Sequence, residues 1–174
     1  MSKAVLMSIK PEWCNLIVSG QKKMEIRKTK PRIDTPFKCY IYCSGRYFGL
    51  QSKTNPALKK NAAKMVIGEF DCSSITEYRP GSSFDPINSC FNLRTLTCVP
   101  PAEIWHYAEG KPIYGWFMTN LKIYDKPKKL EDFQLACNHK EDCGSCKRFE
   151  RKKYACIAGL KRPPMSWCYV EEIE

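Results

Sequence analysis

The sequence lacks any uncharged apolar run near the roughly 18 residues that a membrane-spanning helix needs. Its opening, Met1-Ser2-Lys3-Ala4, has no signal-peptide core. Both absences lead us to expect a soluble, cytoplasmic protein with no membrane partner. Histidine is scarce, with His106 and His139 the only two, which argues against a two-histidine ribonuclease mechanism. Internal repeats and low-complexity tracts are absent, which excludes solenoids and disordered tails. What remains is ordinary globular composition. Hydrophobic residues make up 43% and charged residues 27% of 174 residues, enough for a single domain spanning 1–174.

Two features are not ordinary. Eleven cysteines would suggest disulfides in a secreted chain, but the number is odd and no export signal accompanies it, so reduced thiols in the cytosol are expected. The charge of +11 is also uneven. Residues 1–60 hold 13 basic and 3 acidic groups, against 8 and 9 in 61–135 and 8 and 6 in 136–174. A positive field concentrated in the first third favours polyanions, with nucleic acid foremost. A basic surface kept for solubility is the alternative.

Hydrophobic periodicity outlines the elements. Val5-Leu6-Met7-Ser8-Ile9 reads as a strand, stopped by Lys10-Pro11. Trp13, Leu16 and Ile17 give a helical face that starts at Pro11 and stops at Gly20. Residues 22–28 alternate strictly, with Met24 and Ile26 on one face and Lys23, Glu25 and Arg27 on the other. Further strands are expected at 37–43, 65–72, 116–118, 121–124 and 167–170, a helix at 104–110, and a surface loop at 44–64. Many short strands with few helices predict an α+β domain built on a small β-barrel.

Near the C-terminus, Cys137, Cys143, Cys146 and Cys156 surround the knuckle Cys143-Gly144-Ser145-Cys146. That spacing suits four tetrahedral zinc ligands, with His139 as a competitor for one position. A polar segment at about 134–158 has no apolar face of its own, so a structural zinc would staple it. A redox dithiol and buried unligated thiols are the other readings. Four protein ligands leave no open coordination position, so such a metal would serve folding and not catalysis. The basic run 147–153 lies inside this insertion and would reach a phosphate backbone or simply face solvent.

The most specific signal is Gly20-Gln21-Lys22-Lys23-Met24-Glu25-Ile26-Arg27, directly after the first helix. Here the chain resembles the ASCH domains, members of the PUA-like superfamily of small β-barrels, whose hallmark is G-x-K-x-x-E-x-R at the end of the first helix. Ser8-Ile9-Lys10-Pro11, Leu16-Ile17, Ile67-Gly68-Glu69-Phe70, Gly115-Trp116 and the closing 166–170 segment support the likeness. The cysteine-rich insertion lies outside that core.

The resemblance implies a cleft, floored by this motif, that accepts RNA, single-stranded nucleic acid or a modified nucleotide. Lys22 would supply a cation for phosphate, Glu25 an acceptor for a base amino group, and Arg27 a bidentate donor. Lys10, Lys23 and Trp167 complete the expected ligand-binding set, with Trp167 set beside the rigid Pro163-Pro164 turn to stack a base. An ordinary strand with ion pairs among Lys23, Glu25 and Arg27 is the alternative. Trp13, Trp105 and Trp116 are read first as core residues.

The resemblance also admits enzymes, a ribonuclease or an amidohydrolase acting on N-acetylated cytidine, in which Lys22 and Glu25 would be the catalytic pair. Glu25, however, stands where that amidohydrolase has its threonine.

Overall fold

The computed structural model describes residues 2–45, 62–79, 86–136 and 159–173, with the backbone only for 86–91. Cys137, Cys143, Cys146, Cys156 and His139 lie outside the described residues, as do Arg46, Lys53, Lys59 and Lys60 of the expected loop. In order, the elements are β1 (Lys3–Ile9), α1 (Pro11–Val18), β2 (Met24–Arg27), β3 (Phe37–Cys43), β4 (Val66–Tyr78), α2 (Pro86–Thr97), α3 (Pro101–Ala108), β5 (Ile113–Lys128), a 3-10 turn (Leu130–Asp132) and β6 (Trp167–Glu171). No helix among the described residues is long and apolar enough to cross a membrane.

The strands form one six-stranded sheet in the order β2-β5-β4-β3-β1-β6. The α+β character expected from the sequence is present, but the sheet is not closed: β2 and β6 are its edges and do not pair. Among the described strands only β1 and β3 run parallel. Both are buried on two faces, as their nearly continuous apolar runs require. Val5, Met7, Ile9, Cys39 and Ile41 enter one core cluster, and Ala4, Leu6, Tyr40 and Tyr42 another.

A third cluster forms where Met24 and Ile26 of β2 meet Leu93 of α2 and Ile104 and Ala108 of α3. The strict alternation of β2 therefore has a cause in packing. One face meets the two helices, and the other turns Glu25 and Arg27 into the interior beside Trp116, the cross-strand partner of Glu25.

Two elements differ from expectation. Helix α2 has no counterpart in the sequence pattern, and the strands expected at 116–118 and 121–124 form one strand, β5. The sequence signal breaks at Asn120 because that residue adopts φ +50°, while the ladder to β4 shifts register nearby. Side-chain packing over the strand explains Gly115, where a Cβ would collide with Met24 Sδ and lie 2.9 Å from Tyr78 Cε2.

Candidate functional site

The site begins with the way α1 ends. Gly20 has φ +74°, its N–H donates to Ile17 O at 2.8 Å, and Gln21 N–H donates to Leu16 O at 2.9 Å. This 5→2 and 6→1 pair is a Schellman stop, which needs a residue tolerant of the left-handed region. Lys22 N–H donates to the same Leu16 carbonyl at 2.9 Å. The turn thereby fixes where the Lys22 side chain leaves the backbone. The chain then enters β2, which supplies Glu25 and Arg27.

These three side chains converge. Lys22 Nζ lies 3.3 Å from Glu25 Oε2, and Arg27 Nη2 lies 3.2 Å from Glu25 Oε1. All three are buried, with residue exposures of 3%, 8% and 7%. Burying charge is costly unless it is paired and further hydrogen-bonded, and here both cations find additional acceptors. Lys22 Nζ donates to Thr97 O at 2.8 Å and stands 5.2 Å from the centre of the Trp13 ring. Thr97 is the last residue of α2, so its carbonyl is one that the helix leaves open at its negative end. Arg27 Nη2 donates to Ser8 O at 2.8 Å, and Nη1 makes longer contacts of 3.4 Å to Ser166 O and Oγ. Arg27 thus ties edge strand β2 to β1 and to the entrance of β6, across the open side of the sheet.

Two polar atoms of this cluster have no hydrogen-bond partner: Glu25 Oε2 and Arg27 Nε. Glu25 Oε2 has the Lys22 ammonium at 3.3 Å but receives no directed hydrogen bond. That oxygen is sealed from solvent beside Lys22, while the Glu25 residue as a whole lines the cleft over the cluster.

A cleft of about 240 Å³ opens over the cluster. Lys10 and Trp13 from the start of α1 form one side, Glu25, Ile26 and Arg27 the floor, and Glu103, Ile104 and Tyr107 of α3 the other side. Tyr107 is 41% exposed at the rim. The lining carries three cations, Lys10, Lys22 and Arg27, and two carboxylates, Glu25 and Glu103, a net of +1. This lining does not by itself make the basic cleft that the charge of residues 1–60 leads one to expect.

The sequence-predicted residues divide cleanly. Lys10, Lys22, Glu25 and Arg27 line one cleft. Lys23 is exposed outside it, its backbone engaged with Leu96 O and Met118 N. Trp167 does not line it either. Its ring packs 5.8 Å from Trp116 and 5.4 Å from Tyr169, and its Nε1 donates to Thr29 Oγ1 at 3.0 Å. Sequence reasoning missed Ser8, Thr97, Glu103, Ile104 and Tyr107. The last three share one face of α3 by their i, i+1, i+4 spacing, a signal that patterning alone assigns to the core. Among the described residues no group of three or more His, Cys, Asp or Glu side chains is arranged to hold a metal ion.

A family model described as the ASCH domain matches residues 7–128. Among solved structures, the chain is similar to ASCH from Zymomonas mobilis, with a TM-score of 0.58 and 17% identity over 97% of this chain and 88% of that one. It is likewise similar to a tyrosine-to-phenylalanine mutant of that protein (TM-score 0.56, 18% identity, 98% and 92% covered) and to a serine-to-alanine mutant (0.58, 16%, 97% and 89%). No curated protein matches. At such low identity the structural likeness establishes the fold alone, but the family match spans the motif strand, both cleft-forming helices and four further strands. The chain belongs to the ASCH domain family.

Proposed function

We propose that the cleft binds a nucleobase, either of RNA or of a modified nucleotide. The observation that carries this reading is Glu25: a carboxylate fixed between two cations in the lining of the cleft. An amino or imino N–H of a base would donate to this carboxylate in a charge-assisted hydrogen bond. Trp13 and Tyr107 offer aromatic faces on two sides of the same space. Its volume, about 240 Å³, lies below the range of roughly 300–1,000 Å³ for drug-sized ligands and suits a base or nucleoside. A net lining charge of +1 suits a neutral ligand or one with a single negative charge better than a run of phosphates.

A catalytic role for Lys22 and Glu25, as in a ribonuclease or an N-acetylcytidine-type amidohydrolase, draws less support. The Lys22 ammonium is already directed at Thr97 O, Glu25 and the Trp13 ring. Ser8, the one hydroxyl side chain of Ser or Thr type in the lining, donates its proton to Pro164 O at 2.6 Å. A fixed ion-paired acceptor suits recognition better than proton shuttling.

The reading extends to a zinc-stapled insertion, bound by Cys137, Cys143, Cys146 and Cys156 within a domain of the PUA-like superfamily, and to action in the cytoplasm. The flanks of the insertion support the staple. Ala136 N–H donates to Tyr169 O at 3.1 Å, and Leu160 N–H donates to Phe133 O at 2.9 Å. Both ends are thus anchored to the same part of the fold, and a metal would hold the segment between them.

The test is a thermal-shift screen of natural and modified nucleosides. A ligand present at 100 times its dissociation constant adds about 2.7 kcal/mol of stability. A screen in which no nucleoside, nucleotide or short RNA raises the melting temperature rejects the proposal.

A further inference from the structure

Beside the cleft, the connection between β2 and β3 crosses the open side of the sheet. It is held at two points. Trp167 Nε1 donates to Thr29 Oγ1 at 3.0 Å, and the Arg32 N–H donates to the Tyr169 hydroxyl at 2.6 Å. Both anchors stand on β6 and pack against each other at 5.4 Å, and Trp167 packs further onto the buried Trp116. The loop therefore has a fixed base, and Trp167 serves as its post.

What this strap presents outward is charge: Lys28, Lys30 and Arg32 are exposed, against a single carboxylate, Asp34. Two of the cations rest on aromatic faces. Lys28 Nζ lies 4.9 Å from the centre of the Tyr107 ring, and Lys30 Nζ lies 5.5 Å from that of Tyr114. Tyr107 lines the cleft, and Tyr114 pairs across strands with Arg27 on its floor. Both ring contacts thus tie the strap to the cleft, one at its lining and one beside the strand of its floor. Lys28 also meets Glu109 at 3.0 Å, but that pair is exposed and solvent-screened, so an incoming phosphate competes with it readily.

Lysines interleaved with aromatic faces are the recurring surface for single-stranded nucleic acid, in which cations follow phosphates and rings accept bases. The cleft cannot supply that function itself, because Glu25 and Glu103 offset two of its three cations. We propose that the strap is the track for single-stranded RNA: the base seated in the cleft belongs to a chain whose sugar–phosphate backbone runs over Lys28, Lys30 and Arg32. The inference rests on the nucleobase reading of the cleft, and it adds that the partner is a polynucleotide and not a free nucleoside.

The test compares two probes, the four common ribonucleosides and a mixed-sequence single-stranded RNA of roughly eight nucleotides, a length within single-strand site sizes. The double variant Lys28→Gln/Lys30→Gln removes two exposed charges and keeps the side-chain stems. Lys122→Gln/Lys126→Gln, on the half of β5 that does not pair with β2, removes the same charge elsewhere. For the strap variant we expect the slope of log affinity for RNA against log salt to become shallower by about 1.4, or roughly 0.7 for each phosphate no longer neutralised. Nucleoside binding should be unchanged, and the control variant should keep the wild-type slope.

A wild-type slope in the strap variant, or an equal change in the control, overturns the track. RNA that binds no more tightly than nucleosides overturns it too and leaves the cleft reading intact. RNA binding that depends on Lys28 and Lys30 in the absence of any nucleoside binding upholds the track and rejects the cleft. Failure of both probes at low salt rejects both.

Discussion

Glu25 Oε1 lies 3.2 Å from Arg27 Nη2, two residues along the same short strand and on its same face, with both side chains buried. With Lys22 on the other oxygen of Glu25, their pairing lets β2 carry charge into the interior, since Arg27 without Glu25 would be an uncompensated buried ion.

Glu25→Gln should therefore destabilise the fold by about 3–5 kcal/mol, because Lys22 and Arg27 lose their shared counter-charge. Denaturant unfolding measures the change. The amide keeps one acceptor but adds a donor, so ligand selectivity should alter among variants that remain folded. Wild-type protein should show no turnover of RNA or acetylated cytidine above background. Strong wild-type turnover that vanishes in Glu25→Gln would instead establish the catalytic pair.

Gly115→Ala probes the opposite side of β2. The added methyl collides with Met24 Sδ and meets Tyr78 Cε2 at 2.9 Å, so those two packed side chains must move. A loss of about 1–3 kcal/mol is expected from such overpacking, with ligand binding kept, because Glu25 and Arg27 lie on the other face of β2. Thermal unfolding and the nucleoside screen read the two outcomes separately.

Much of this site is legible in the sequence, and what is not has physical causes. Gly20 marks the helix stop, and the motif that follows it singles out Lys22, Glu25 and Arg27. The alternation of 22–28 nevertheless groups Lys23 with Glu25 and Arg27. In the fold β2 starts only at Met24. The Schellman turn orients Lys22 before the strand's two-residue period begins, so Lys22 reaches the cluster while Lys23 stays outside. Thr97, Ser8 and Tyr107 contribute through contacts distant in sequence, which no local pattern reveals. Trp167 has the chemistry expected of a base-stacking residue beside a proline turn, but the neighbouring rings of Trp116 and Tyr169 engage it in packing.

The thiols should differ in reactivity. Burial raises Cys39, and raises Cys72 to about 12; Cys14 is raised by its hydrogen bond with Cys43 and then by burial. The thiolate is the nucleophile, so these three should resist alkylation in the folded protein, while among the described thiols the half-buried Cys98 and Cys168 react before them. Mass spectrometry after brief iodoacetamide treatment at about pH 8 gives the order. Early labelling of Cys14, Cys39 or Cys72 would contradict the burial of both faces of the central strands.

The proposed staple predicts one zinc per chain, released when a thiol-reactive mercurial displaces it. Elemental analysis of protein purified without chelator checks the stoichiometry. Protein free of zinc, with Cys143→Ser as stable as wild type, would rule the staple out.

The location of the ligand is the most direct test of the nucleobase cleft. Titration of isotopically labelled protein with the nucleoside that gives the largest thermal shift, followed by NMR of backbone amides and indole N–H groups, maps the binding surface. A base seated over Glu25 should shift the Trp13 indole and the amides of Glu25, Arg27 and Tyr107, with Lys38 and Glu172 at the far side of β3 silent. Shifts gathered around Lys38 and Glu172, with Trp13 and Glu25 unmoved, would contradict it.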